Sequence, residues 1–331
     1  MEPVGPAVNG ALSFLRRLTQ DIPSPAEWML EVTNRCDLAC PMCLRDKVDF
    51  VTQDMDPHFI RHLLNASAPP NAIWPYGFGE PLLYPYLFEA IRHMKKKGAI
   101  VSLSTSGTHL DRSTGAEMIS SRLDYLIVAF DGATPQTYEK YRRGANFDQV
   151  KDNVERFLAF KTSIQSQIHI TLQMILLNGT RNEVSAFKQL WTRNGVDQVR
   201  LREDLLKRPK IAALARNCGV HRPCFFLWRG PLFVQAAGTV VPCPYYHGSE
   251  PFGDLKAQSV EQAWNSPKMT ELRQAHVSGD LSKFPVCRAC PRYQPHAALA
   301  AASFFITTTE IRRYLPVVER IQQRLGKTFF E

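Results

Sequence analysis

The sequence predicts an α/β chain in which parallel strands alternate with helices, followed by a smaller α+β region. Three observations carry that expectation. Between residues 28 and 206, apolar runs of strand length alternate with helical stretches opened by capping residues. The strands are near-continuous apolar segments, as a parallel sheet covered on both faces requires. After about residue 205 the alternation stops, and a hairpin pattern and cysteine-bearing loops replace it. A length of 331 residues suits two domains, at roughly 150 residues each.

Trp28–Thr33 reads as the first strand. Asp56 and Pro57 open a helix over Pro57–Asn65, the acid as N-cap and the proline in the first turn. Ala72–Tyr76 and Ile100–Ser104 are the next strands, and the helix Pro85–Lys97 between them stops at Gly98. Leu123–Phe130 is a fourth strand, closed by Asp131-Gly132. Helices follow around Pro135–Tyr141 and over Phe147–Lys161, then the strand Ile168–Leu176, the helix Glu183–Asn194 and the strand Gln198–Leu201. Six such units are too few to close an eight-fold barrel. A partial barrel and an open doubly wound sheet both remain, and either puts chemistry at the C-terminal ends of the strands. Further on, Leu232–Ala236 and Thr239–Val241 flank Gly238 as a hairpin. Val260–His276 reads as one helix, and Glu310–Arg324 as an amphipathic helix packed on the body.

With 44% hydrophobic and 21% charged residues, the chain is neither disordered nor fibrous. Its longest apolar stretches, Ile168–Leu177 and Ala297–Ile306, are shorter than the ~20 residues of a membrane span. Pro3, Pro6 and Asn9 interrupt the N-terminus, and Arg16 and Arg17 follow its short apolar run, unlike a signal peptide. A cytoplasmic protein is expected. The net charge of +9 has no dense Lys/Arg run beyond Lys95-Lys96-Lys97 at a helix end. Nucleic acid is therefore not expected as a partner.

The eight cysteines fall into groups, which in a cytosolic chain indicates metal before disulfide. Cys36, Cys40 and Cys43 are spaced C-x3-C-x2-C. Zinc normally takes four protein ligands, and the nearest further candidate is His58. Three thiolates on one loop suit a 4Fe–4S cluster with an iron left open, with a zinc or free-thiol loop as the alternative. Cys224, Cys243, Cys287 and Cys290 form a second set, spaced C-x18-C and then C-x2-C. A four-cysteine zinc site is the alternative there, although zinc ribbons usually pair two C-x-x-C knuckles. Cys218 is left over, either a small buried hydrophobe or a reactive thiol.

The first spacing, placed after the first strand, resembles the radical S-adenosylmethionine (AdoMet) superfamily. Tyr76-Gly77-Phe78-Gly79-Glu80-Pro81 resembles its Gly-Gly-Glu-Pro motif, with Phe78 in place of the first glycine. The resemblance implies that Gly79, Glu80 and Pro81 line AdoMet, with Glu80 holding the methionyl ammonium. Ser104-Thr105-Ser106-Gly107 stands where the family contacts the ribose, which implicates Ser104 and Thr105. Phe130-Asp131-Gly132 and Tyr141-Arg142-Arg143-Gly144 match the branch with extra clusters. There Asp131 joins the cofactor set and Arg143 pairs with the AdoMet carboxylate. Met42 takes the position of an adenine-contacting aromatic residue. The second cysteine set, with Gly253-Asp254-Leu255 and Ala263-Trp264-Asn265, resembles the twitch domain, a shortened SPASM domain.

The fold so implied is a partial (β/α)6 TIM-like barrel over residues 28–206, after an N-terminal extension over 1–27. A small α+β iron–sulfur domain of twitch/SPASM type over 207–295 and a helical tail over 296–331 complete it. The implied cofactors are AdoMet and two 4Fe–4S clusters, one binding AdoMet and one auxiliary, served by a flavodoxin- or ferredoxin-type donor. The implied enzyme is a radical SAM oxidoreductase: AdoMet is cleaved to a 5′-deoxyadenosyl radical, which takes a hydrogen atom from the substrate. The architecture looks most like the aminocyclitol (carbinol) dehydrogenases, acting on a sugar, an aminocyclitol or a similar small molecule. Arg200, Arg202, Glu203 and Asp204 after the sixth strand are candidate contacts or bases. The alternatives are an epimerase with Cys218 as hydrogen donor, a peptide-modifying SPASM maturase, and a non-enzymatic iron–sulfur or zinc protein.

Overall fold

The computed structural model describes residues 22–203 and 224–290, apart from 23, 46, 47, 50, 69 and 225. Six parallel strands come first: β1 (Glu27–Leu30), β2 (Ala72–Trp74), β3 (Ile100–Thr105), β4 (Tyr125–Ala129), β5 (His169–Leu176) and β6 (Gln198–Glu203). Each pairs with the next in sequence order. A doubly wound sheet would reverse its strand order at a switch point. This one does not, so the arc is the expected partial barrel.

The crossovers follow from local chemistry. Helix α1 (Pro57–Ala66) starts where Asp56 accepts the His58 amide and proline needs no donor. Helices α2 (Leu87–Lys96), α3 (Arg112–Ser120), α4 (Pro135–Tyr141), α5 (Phe147–Ser163) and α6 (Val184–Trp191) continue the alternation. Asp111 and Asn146 cap α3 and α5 by accepting the amides of Thr114 and Gln149. The sequence reading missed α3, whose few apolar residues give only a faint helical stripe. A Cβ at its Gly115 would lie 2.8 Å from the Phe157 ring, so the glycine lets α3 pack close on α5.

On β3, β4 and β5, Val101, Leu103, Leu126, Val128, Ile170, Leu172 and Met174 are wholly buried. They share one core cluster with Met94, Phe157, Phe187 and Trp191 of the helices. The alternate positions point inside the arc and are more polar. Ser104 pairs with Ile127, Ile127 with Thr171, and Thr171 with Gln198. One rung further, Ala129 pairs with Gln173 and Gln173 with Arg200.

The expected hairpin forms from β7 (Leu232–Val234) and β8 (Thr239–Val241). It does not start a sheet of its own. β7 lies parallel to β1, matching Trp28 with Leu232 and Leu30 with Val234, and β9 (Gly253–Asp254) follows β8. All nine strands among the described residues thus belong to one sheet, in the order β6-β5-β4-β3-β2-β1-β7-β8-β9. After a four-residue α7 (Phe226–Arg229) before β7, the helix expected over Val260–His276 is in fact two. These are α8 (Val260–Trp264), with a Ser259–Gln262 capping box, and α9 (Pro267–Ser278), capped by Ser266. Pro267 lacks a donor and clashes with a preceding helical turn, so the chain restarts there. α10 (Pro285–Arg288) carries Cys287. The amphipathic stretch Glu310–Arg324 lies outside the described residues. No helix among the described residues is long and apolar enough to cross a membrane.

The central place of β1 sets a stability prediction. Leu30 is wholly buried on the strand that joins β2 to β7. Leu30→Ala is expected to destabilise the fold by about 2–5 kcal/mol, read as a lower denaturant midpoint at unchanged slope. A cost near zero would show that the two halves of the sheet do not depend on β1.

Candidate active site

The loop leaving β1 carries the first three cysteines and is tied down on both flanks. Thr33 donates its hydroxyl to Asp54 at 2.6 Å, and the Arg35 guanidinium clasps the same carboxylate at 2.9 and 2.7 Å. Arg35 also donates to the Leu83 carbonyl at 2.7 Å, just beyond the Gly79-Glu80 turn. That turn meets the loop backbone to backbone: the Glu80 amide donates to the Arg35 carbonyl at 2.8 Å. A Cβ on Gly79 would lie 2.7 Å from the Arg35 carbonyl oxygen and collide with that of Thr33. Only glycine fits.

Each sulfur of this group faces an N–H donor. The Leu38 amide lies 3.5 Å from Cys36 Sγ, the Arg45 amide 3.4 Å from Cys43 Sγ, and Arg142 Nη1 3.9 Å from Cys40 Sγ. Burial pushes the Cys36 thiol up to about 11 and raises Cys40 as well. The bare Cys36 and Cys40 thiols stay protonated at neutral pH, whereas a bound cluster takes thiolates and N–H donors stabilise them. The loop therefore fits a cluster held by Cys36, Cys40 and Cys43.

Arg142 is the cation that faces Cys40. Its Nε and Nη2 reach Asp131 Oδ2 at 2.8 and 2.6 Å, and Asp131 Oδ1 accepts the Ile175 amide at 2.6 Å. Burial works against the guanidinium charge, but Asp131 and Cys40 more than offset it, so its pKa is raised. The resemblance assigned Asp131 and Arg143 to AdoMet. The structure sets Asp131, wholly buried, in the ion pair beneath Cys40. It leaves the Arg143 side chain exposed, with the Arg143 carbonyl accepting the Ala39 amide at 2.9 Å. Arg142, one residue earlier, was not singled out by sequence.

Glu80 is 3% exposed and ties the turn to the end of β3. Oε1 accepts from Thr105 Oγ1 at 2.6 Å and the Leu82 amide at 3.1 Å. Oε2 accepts from the Ser106 amide and hydroxyl, both at 2.8 Å. Four donors fill the positions a carboxylate offers. Pro81, buried, starts a helical turn over Pro81–Leu83. Ser104 is half-buried on the inner face, and Met42 half-buried between the second and third cysteines.

The second group gathers beyond the hairpin. Cys243 opens a short turn over Pro244–Tyr246 and feels the charges of Cys224, Cys287 and Cys290. Burial raises the Cys243 thiol strongly and pushes Cys287 up to about 12. The Tyr246 hydroxyl lies 3.3 Å from Cys287 Sγ. Among the described residues, no three His, Cys, Asp or Glu side chains close around a single ion. A four-iron cluster seats each sulfur on a different iron and spaces its ligands more widely.

Sequence reasoning also missed Glu31. It is wholly buried at the end of β1, where it accepts from the Phe78 amide, the Ala236 amide and His247. An acid ending a buried strand is costly unless paired, and that was the available signal. Arg200 sits on the inner face with Nη2 donating to Gln198 Oε1 at 3.0 Å, and Arg202 is exposed at the mouth. Asp204, Cys218 and the Glu203 side chain lie outside the described residues.

Two measurements test this geometry. Gly79→Ala is expected to weaken AdoMet binding at least about tenfold, read by equilibrium dialysis, because the turn must leave the cluster loop. Unchanged affinity would contradict the backbone contact. The cluster-free chain is also expected to lose stability with rising pH. Its folded thiols titrate near about 11 and 12, against an ordinary 9.0. The stabilisation is present below pH 9.0 and is lost as the pH climbs towards about 11, because the unfolded chain gives up its thiol protons first. Thermal midpoints of the apo chain should fall across that window, and a flat profile would refute the burial.

Comparisons with known proteins agree with the site. Residues 30–184 match the radical SAM superfamily, and residues 224–291 match an iron–sulfur cluster-binding domain, SPASM. The tungsten-containing aldehyde ferredoxin oxidoreductase cofactor-modifying protein of Pyrococcus furiosus is 32% identical, over 85% of this chain and 90% of that one. The crystal structure of BtrN with AdoMet and 2-DOIA covers 82% of this chain and 95% of its own, with TM-score 0.54 and 17% identity. Streptococcus suis SuiB bound to its precursor peptide SuiA covers 82% of this chain and 73% of its own, with TM-score 0.62 and 11% identity. The cofactors of these families, 4Fe–4S clusters and AdoMet, are those that the two cysteine groups fit. With its barrel, its three-cysteine loop and its four-cysteine C-terminal site, the chain belongs to the radical SAM superfamily and carries a SPASM domain.

Proposed function

We propose that the chain is a radical SAM oxidoreductase that removes two electrons from a small polar substrate, a sugar, an aminocyclitol or a related carbinol. The observation that carries this reading is the second cysteine group, which offers four thiols and so leaves no iron free for a substrate. When bound, AdoMet and its cluster supply hydrogen-atom abstraction, and a fully ligated auxiliary cluster supplies an electron acceptor. The carbinol carbon gives up one hydrogen atom, then one electron, while its hydroxyl gives up a proton. A carbonyl results.

The protein's own groups shape that event. Glu80, Thr105 and Ser106 hold the turn that would face AdoMet, and Asp131 holds Arg142 against Cys40. Ser104, Thr171, Gln198 and Arg200 offer hydrogen bonds along the inner face, where a hydroxylated ring would lie. Gln173 Oε1, buried and without a hydrogen-bond partner, suits a substrate O–H or N–H. Glu203, the last residue of β6, and Asp204, the next in sequence, are the proposed proton acceptors. A peptide substrate is the second reading, favoured by the fold shared with SuiB, which has been crystallised with its precursor peptide.

The test begins with iron, sulfide and zinc per chain after anaerobic reconstitution. About eight irons without zinc, falling to about four in a Cys36/Cys40/Cys43→Ala variant, are expected. Incubation with AdoMet, dithionite and a panel of aminocyclitols and sugars should then yield a product lighter by two hydrogen atoms. A product of unchanged mass carrying solvent deuterium would replace oxidation by epimerisation. Turnover of peptides alone would favour the second reading.

A further inference from the structure

The two cysteine groups lie far apart in sequence, yet one buried carboxylate touches the segments that lead to both. Glu31 Oε1 accepts the Phe78 amide at 3.1 Å, in the turn that ends at Glu80. Its Oε2 accepts the Ala236 amide at 3.2 Å, just beyond β7. His247 Nε2 lies 3.1 and 3.3 Å from the two oxygens. The side chains of His247 and Glu31 are 2% and 1% exposed, so the pair is sealed from water.

His247 stands at the end of the segment that begins with Cys243, and its neighbour Tyr246 reaches Cys287 Sγ. Its ring meets the Phe78 ring edge-on at 4.7 Å, and Phe78 also meets Phe233 at 6.4 Å. Gly77 has no room for a Cβ, which would lie 2.7 Å from Glu31 Cγ. Phe78, the residue that departs from the family's glycine, thus fills the space between the AdoMet-facing turn and the auxiliary-cluster loop. A buried carboxylate must have its lone pairs used or its charge is costly. Glu31 satisfies that demand only when the turn, the hairpin and the His247 loop are all in place.

We propose that Glu31 and His247 are positioning residues that couple AdoMet binding at the 76–80 turn to the auxiliary-cluster loop. Movement of the Phe78 amide shifts the Glu31 carboxylate, and His247 carries that shift toward Tyr246 and Cys287. Linkage makes the effect reciprocal, so the auxiliary site in turn biases AdoMet affinity. The coupling rests on the two cofactor sites alone. It is independent of whether the substrate is a carbinol or a peptide.

The test uses the reconstituted holoenzyme and AdoMet alone. In the wild type, AdoMet should change the electron paramagnetic resonance spectrum of the reduced auxiliary cluster. Glu31→Gln and His247→Phe should raise the AdoMet dissociation constant about tenfold and abolish that spectral response. His247→Gln keeps an N–H donor for the carboxylate and should restore most of both. If Glu31→Gln fails to load clusters, Phe78→Gly still decides the matter. It removes the ring against His247, returns the family residue, and should weaken the spectral response at full iron content. A wild-type auxiliary spectrum indifferent to AdoMet would overturn the proposal. So would His247→Phe or Phe78→Gly variants that keep both the affinity and the response.

Discussion

Everything around the site depends on β1 being an interior strand. Its pairing with β2 on one side and β7 on the other makes one sheet of what sequence presents as two regions. The first cysteine loop leaves the C-terminal end of β1, and the hairpin that begins with β7 leads to Cys243. Parallel pairing points both strand ends the same way. The turn of the hairpin therefore meets the first cysteine loop at the C-terminal end of the strands, where the Ala236 amide reaches Glu31. β8 runs back antiparallel, and the segment that begins with Cys243 returns to that end at His247. An antiparallel β7 would have sent the hairpin to the opposite end.

What fixes those loops is a set of buried carboxylates. Glu80 binds the turn to β3, Asp131 binds Arg142 beneath Cys40, and Glu31 binds the turn to the auxiliary loop. Each is nearly or wholly inaccessible to water. Such groups contribute little net stability, because desolvation offsets most of the attraction. Their effect is geometric. A loop that strays leaves a charge unsatisfied at a cost of several kcal/mol, so only one arrangement survives. Cysteine loops without this frame would have to be organised entirely by the clusters they hold.

This division explains what the sequence disclosed. Short-range signals were legible: the cysteine spacings, the Gly79-Glu80-Pro81 turn, the Asp56-Pro57 helix start, and the alternation that yields six parallel strands. Each is written within a few residues and has a local physical cause. Ser266-Pro267 was equally local, yet the apolar stripe on either side hid the break. The long-range features left no such mark. A three-residue strand carries nothing that says which edge it will join, so the β1–β7 pairing was invisible. Which of Arg142 and Arg143 faces Cys40 turns on where α4 ends, a matter of one residue. Glu31 and His247 meet across 216 positions, and only the fold brings them together.

The inner face sets the terms for a substrate. Among the described residues, β3, β4, β5 and β6 direct hydroxyl, amide, imidazole and guanidinium groups inward, and no carboxylate. Arg200 and Arg202 share the face of Gln173 through the β5–β6 register. A neutral hydroxylated ring finds donors and acceptors there, and a group bearing negative charge finds a guanidinium. An ammonium group finds neither on these four strands. A neutral polyol needs no counter-charge, and the described inner face suits it better.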